Sequence, residues 1–169
     1  MIRIFGIDPG LQRTGWGVVD AEGNRLRHVA HGVVHTKADM PMSERLKNIY
    51  DELGKMLMLW QPQQAAIEET FVNQNAGSAL KLGQARGVAI VAAAQMNIPV
   101  AEYAATLIKK SVVGTGHAEK QQIQAMIRIL LPGVEASPDA ADALAVAICH
   151  AHHGASQSVI ASMMARSGK

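Results

Sequence analysis

Asp8 closes the apolar run Ile2-Arg3-Ile4-Phe5-Gly6-Ile7, and Glu68 closes Gln64-Ala65-Ala66-Ile67. Asp139 and Asp142 lie three residues apart, just inside a helix start at Ser137-Pro138. A carboxylate at the edge of an apolar core is costly to leave unpaired. Several converging on one point would repel one another unless positive charge stood between them. A pair of hard cations answers this, because Mg²⁺ takes oxygen ligands and holds phosphate groups. The four acids therefore point to a metal-dependent enzyme that cuts phosphodiesters.

Each acid also has a plainer role. Asp139 follows a capping Ser137 and a Pro138 suited to the first helical position, so it equally serves the positive end of the helix dipole. Asp142 lies one turn deeper, where Leu144, Val146 and Ala147 continue an apolar face and no Lys or Arg stands ready to pair with it. Residues three apart share a helix face, so both carboxylates could reach one ion. Asp8 also fits an Asx-type turn before Pro9-Gly10. Glu68 and Glu69 are adjacent, and adjacent strand residues point to opposite faces, so only one can face a common site. Spacing leaves that choice open.

The elements that must position these residues follow from patterning. A β-branched strand at 2–8 precedes a Pro9-Gly10 turn; further strands are predicted at 14–20 and 26–36, joined by a hairpin turn at Ala21-Glu22-Gly23-Asn24. Pro41 and Ser43 open a helix with Leu46, Ile49, Tyr50, Leu53, Leu57 and Trp60 on one face, stopped by Pro62. A strand at 64–70, a helix rich in small residues at 76–96, a strand at 99–102 and helices at 104–112, 119–131 and 138–153 complete the order. The first three strands, joined tightly, imply an antiparallel meander, and the pattern predicts an α/β fold: a five-stranded mixed sheet, this meander plus two parallel strands, with helices on its faces. Residues 1–154 read as one domain, and 155–169, small and polar, as a loose tail.

Composition narrows the class. A chain of 169 residues with 49% apolar and 4% aromatic content builds one core, mostly from aliphatic side chains. A lone Cys149 excludes an internal disulfide and a cysteine-based zinc site, and fits the cytoplasm. Arg3 and Asp8 break the first apolar stretch, and Val88 to Ala94 is far shorter than the ~20 residues of a spanning helix, so no membrane association is expected. A net charge of +2 makes any nucleic-acid affinity a matter of local basic patches. Lys109, Lys110 and Lys120 flank Gly114-Thr115-Gly116; ordinary solvated surface is the plain reading of that group. The glycine pattern completes no dinucleotide fingerprint or P-loop. Phe71, in a polar loop with Asn73, Gln74 and Asn75, could simply cover a core edge. Gly77, Ala79, Gly83, Ala85, Gly87 and Ala89 allow close helix approach, within the chain or between copies. His150, His152 and His153 suit the negative end of the last helix and receive no metal role.

Gly6-Ile7-Asp8-Pro9-Gly10 with Thr14-Gly15-Trp16-Gly17 resembles the opening of the RuvC family of bacterial Holliday-junction resolvases. Ala66-Ile67-Glu68-Glu69 with Phe71, the stretch from Ser78 to Ala89, Val112-Val113-Gly114, Ala118-Glu119-Lys120 and Asp139 to Ala145 are similar to the same family in the same order. The resemblance runs to about His153. It implies an RNase H-like fold. It also implies a homodimer that nicks opposed strands of a four-way DNA junction symmetrically with two Mg²⁺ per subunit, for which Mn²⁺ substitutes. The ends left would be 5′-phosphate and 3′-hydroxyl. Its catalytic and metal positions fall on Asp8, Glu68, Asp139 and Asp142, favouring Glu68 over Glu69; some members carry histidine where Asp139 stands. It further implies DNA contacts by Phe71, Lys109, Lys110 and Lys120, and a RuvA–RuvB branch-migration complex as partner. The alternatives are an RNase H-like nuclease acting on a hybrid or a flap, and a non-catalytic junction-binding protein.

Overall fold

Apolar alternation and a tight turn at Gly23, whose φ is +57°, fold the first 35 residues into a meander. Its strands are β1 (Ile2–Asp8), β2 (Arg13–Glu22) and β3 (Arg25–His35). The computed structural model describes residues 1–70 and 76–167. Beyond the meander lie α1 (Met42–Trp60), β4 (Gln64–Glu68), α2 (Ala76–Ala94), β5 (Val100–Tyr103), α3 (Ala105–Val113), α4 (Lys120–Leu130) and α5 (Pro138–Ser167). The sheet order is β3-β2-β1-β4-β5; the meander pairs antiparallel, while β4 and β5 run parallel to β1. This is the predicted five-stranded mixed sheet flanked by helices.

Strand alternation sends side chains to two cores. Phe5, Ile7, Val18, Ala65 and Ile67 pack with Ile49, Leu53 and Leu57 of α1 and with Ala85, Ala89, Ala92 and Ala93 of α2. Ile4, Val19, Ala66 and Tyr103 pack on the other face with α3, α4 and α5. From Ala143 to Cys149 every residue of α5 is buried, which marks a helix covered on all sides. It lies on the sheet beneath α3 and α4.

The pattern ends this last helix at His153, but the backbone stays helical to Ser167. No proline interrupts 155–167, and its alanine, methionine, isoleucine and arginine residues are compatible with a helix.

One polar network crosses the α5 side of the core. The Tyr103 hydroxyl donates to Nδ1 of His150 at 2.8 Å, and Nε2 donates to Oε1 of Gln64 at 2.8 Å. Burial disfavours the charged imidazole and pushes its pKa below the ordinary value. The folded state thus resists the proton that the unfolded chain accepts. The stabilisation is complete above about pH 6.5 and drains as pH falls through the depressed folded value. Calorimetry on wild type and His150→Gln should give a difference in stability that shrinks from neutral pH to pH 5. A difference independent of pH would show that the imidazole does not titrate in this way.

Candidate active site

Asp8 and Glu68 end neighbouring parallel strands. Ile7 pairs with Ile67 in register, so the next residue of each strand emerges at the same sheet edge. Asp8 shares a face with Ile4 and Gly6, and Glu68 shares one with Ala66; both faces meet α5. Strand alternation thus gives Glu68 to this side of the sheet, the choice that spacing in the chain left open. Glu69 is absent from the α5-side pocket and lines an adjoining cleft with Pro9, Thr70 and Leu82, which Asp8 and Glu68 also border.

Helix α5 reaches these acids because glycines let it lie on the strands. A Cβ built on Gly6 would stand 2.1 Å from the Ala143 carbonyl oxygen, and one on Gly15 would stand 2.0 Å from the Asp139 carbonyl oxygen. Gly17 is similarly pressed, with a Leu144 methyl 2.7 Å from its Cβ position. A sequence signal for this contact existed: Gly15 and Gly17 alternate on one face of β2, and Gly6 pairs with Gly17 across the ladder.

The result is a pocket of about 240 Å³ lined by Asp8, Glu68 and Asp142, with Lys109 and Lys120 beside them. Ala105, Ile108, Ile123 and Ala145 make its apolar wall. Not every candidate arrives there. Asp139 is not part of the lining; its carboxylate lies 3.7 Å from the Arg13 guanidinium. Lys110 is exposed and does not line the pocket, because it follows Lys109 on α3 and a helix turns successive residues about 100° apart. Phe71 lies outside the described residues. Arg13 is a basic neighbour that chain spacing did not reveal, since only the β2 register and the α5 approach set it beside Asp139.

The pocket is electrostatically unbalanced. Burial, followed by repulsion from Asp142, Glu68 and Asp139, pushes the Asp8 carboxyl up to about 8, with Lys120 opposing. Glu68 is raised by burial and by Asp142, against Lys109 and Lys120. Asp142 is raised chiefly by burial, although the Lys120 ammonium stands 3.6 Å away. That lysine side chain is 76% exposed, so solvent screens much of its charge. Among the described residues no three acids or histidines already converge at ligand distance. The donor set is nevertheless all oxygen, acidic and short of positive charge, and this chemistry suits hard divalent cations. A thiol nucleophile has no place here: Cys149 is buried, its pKa is raised by burial, and it accepts from Ser111 Oγ at 3.3 Å.

Known proteins resemble this chain over nearly its whole length. The family model for crossover junction endodeoxyribonuclease RuvC matches residues 4–150. The protein of that name from Paramagnetospirillum magneticum is 55% identical over 166 residues, covering 98% of this chain and all of that protein. Its counterpart from Maricaulis maris is 59% identical over 152 residues, covering 90% and 92% of the two chains. The structure of Thermus thermophilus RuvC superposes with a TM-score of 0.82 at 34% identity, covering 92% of this chain and 96% of that one. The same protein in complex with a Holliday junction substrate gives 0.85 at 33% identity, covering 91% and 95%. The sheet carrying Asp8 and Glu68 is therefore an RNase H-like sheet, and this chain belongs to the RuvC family of crossover junction endodeoxyribonucleases.

Proposed function

We propose that this protein resolves four-way DNA junctions by hydrolysing phosphodiesters at the acidic pocket, nicking opposed strands symmetrically. The observation that carries it is the meeting of Asp8, Glu68 and Asp142 in one pocket flanked by two lysines. A relative solved with a Holliday junction, similar over nine-tenths of this chain, supports the substrate. The RuvC family acts with metal ions, and we assign this member two Mg²⁺ per subunit, with Mn²⁺ as a substitute. When bound, such cations polarise a phosphate oxygen and lower the pKa of water.

The chain's own residues supply the rest. Asp8 and Glu68 present carboxylates from rigid strand ends, and Asp142 does so from the first turns of a buried helix. Asp139 serves from the rim, within reach of Arg13. Lys109 and Lys120 offset the charge that grows on the phosphate as the bond breaks. No side chain need form a covalent bond to DNA. Water enters as the nucleophile, leaving 5′-phosphate and 3′-hydroxyl ends. Phe71 is assigned by resemblance to unstacked bases at the junction centre, where stacking tolerates sequence variation.

Paired nicks need two sites, and we propose a two-fold homodimer. Gly83 and Gly87 of α2 meet open space, and with Val88, Val91, Leu46 and Tyr50 they line an exposed apolar groove. The inward alanines of α2 pack within the chain, so its small residues serve both faces. Sedimentation at micromolar concentration should give a dimer; a monomer would overturn this assignment. The nuclease domain is assigned to 1–154 and the setting to the cytoplasm, with the RuvA–RuvB complex as partner. Among the described residues no helix is long and apolar enough to cross a membrane.

The discriminating assay offers a mobile four-way junction, a flap and a hybrid duplex with Mg²⁺. Paired, symmetric, religatable incisions confined to the junction are expected; equal cutting of all three would refute junction selectivity. Lys120→Ala and Lys109→Ala should each slow cutting about 10–100-fold. Each should also reduce the salt dependence of junction binding by about one charge. Lys110→Ala should stay within about twofold, as an exposed residue outside the pocket. Equal effects from all three lysines would make the pocket lining irrelevant.

A further inference from the structure

The α2 side of the sheet also reaches the acidic strand end. Arg86 of α2 donates from Nε to the backbone carbonyl of Glu68 at 3.1 Å, and its terminal nitrogen pairs with the Glu102 carboxylate on β5. The Arg86 side chain is only 20% exposed, so this guanidinium is held between the helix and two strands. Its bond to Glu68 falls where the ladder runs out. The Glu69 amide donates to the Tyr103 carbonyl at 2.9 Å, but β5 ends at Tyr103 and offers no further partner. Arg86 thus fixes the last peptide of β4 at the residue whose side chain enters the acidic pocket. Among the described residues its ion pair is with Glu102 and not with an acid of the pocket, so its charge does not serve the pocket directly.

We propose that Arg86 is a positioning residue for Glu68. By clamping the Glu68 carbonyl from the far side of the sheet, it sets the direction of the carboxylate on the near side. This rests on the reading of Glu68 as a cation-holding acid. Outer partners of ligating groups typically contribute 10–100-fold to metal affinity or activity, and the forked, planar guanidinium bonds two acceptors at fixed angles as an ammonium does not.

The test uses Mn²⁺ alone, titrated into the full-length protein without DNA and followed by electron paramagnetic resonance. Junction cleavage is then measured with kcat and KM separated. Arg86→Met should bind Mn²⁺ at least tenfold more weakly and lower kcat by a similar factor, with KM for the junction unchanged. Glu102→Gln keeps an acceptor for the guanidinium and should stay within about threefold of wild type. Arg86→Met that melts earlier but keeps wild-type Mn²⁺ affinity and kcat would reduce Arg86 to a structural pin and overturn the proposal. Should Arg86→Met fail to fold, Arg86→Lys carries the test. It keeps the charge but not the fork, and loss of Mn²⁺ affinity supports the role while full affinity overturns it. Wild-type protein that binds no Mn²⁺ would instead overturn the underlying reading of the pocket.

Discussion

Asp8→Asn should leave a four-way junction bound but uncut, with the cleavage rate down by about 10³-fold or more. The size follows from the chemistry assigned to the pocket: cation stabilisation of a phosphoryl oxygen is worth several kcal/mol, and each 1.36 kcal/mol is tenfold in rate. Asp8 is central because it feels the other three acids and is half-shielded from water at the end of the middle strand. The same substitution should stabilise the protein in EDTA. The Asp8 carboxyl, pushed up to about 8, is more easily protonated in the fold than in the unfolded chain. Its folded state is therefore favoured at low pH and loses stability as pH rises from about 4 through 8. Asparagine removes that loss, so Asp8→Asn should gain on the order of 1–3 kcal/mol over wild type at pH 8 and little at pH 4, allowing for solvent screening. Added Mg²⁺ should narrow the gap, because the ionised wild-type carboxylate binds a hard cation more strongly than the neutral asparagine carbonyl does. Wild-type nicking by the variant, or a lower melting temperature in EDTA at pH 8, would contradict the acidic pocket as a cation clamp.

Much of this site could be seen along the chain because its parts end local patterns. Asp8 and Glu68 each terminate an apolar strand, and Asp142 follows a capped helix start without a basic partner in the next turn. Those signals depend on period and capping alone. What stayed hidden depends on contacts between distant elements. The choice of Glu68 over Glu69 needs to know which sheet face carries α5, and only the shared packing of Ala66 with that helix reveals it. Lys109 and Lys110 differ only in the direction they leave α3. Arg13 reaches Asp139 through the β2 register, and Arg86 reaches the Glu68 backbone through the α2 crossing, which adjacency in sequence cannot encode. Asp139 satisfied every rule for a helix start, and its place at the rim beside Arg13 agrees with that plainer role as well as with the assigned one.

The glycines under α5 decide whether these acids meet at all. Gly15→Ala would drive a methyl to within 2.0 Å of the Asp139 carbonyl oxygen, and Gly6→Ala would drive one to within 2.1 Å of the Ala143 carbonyl oxygen. Both obstacles are helix backbone, which cannot rotate aside as a side chain does, so α5 must lift from the strands. Such overpacking typically costs about 1–3 kcal/mol and sometimes more; these two contacts belong at the upper end. The functional effect should exceed the thermodynamic one. A displacement of about 1 Å in a catalytic group can cost about 10²-fold in rate, and α5 carries Asp139 and Asp142 together. Gly15→Ala should therefore lose about 10²-fold in cleavage at temperatures where circular dichroism still reports a folded chain. Gly54→Ala in α1 is the control, since among the described residues its methyl would meet only the Met96 side chain, at 3.8 Å. It should gain about 0.5–1 kcal/mol from higher helix propensity and leave cleavage unchanged. Full cleavage by folded Gly15→Ala would mean that the close seating of α5 on β2 does not set the position of its acids.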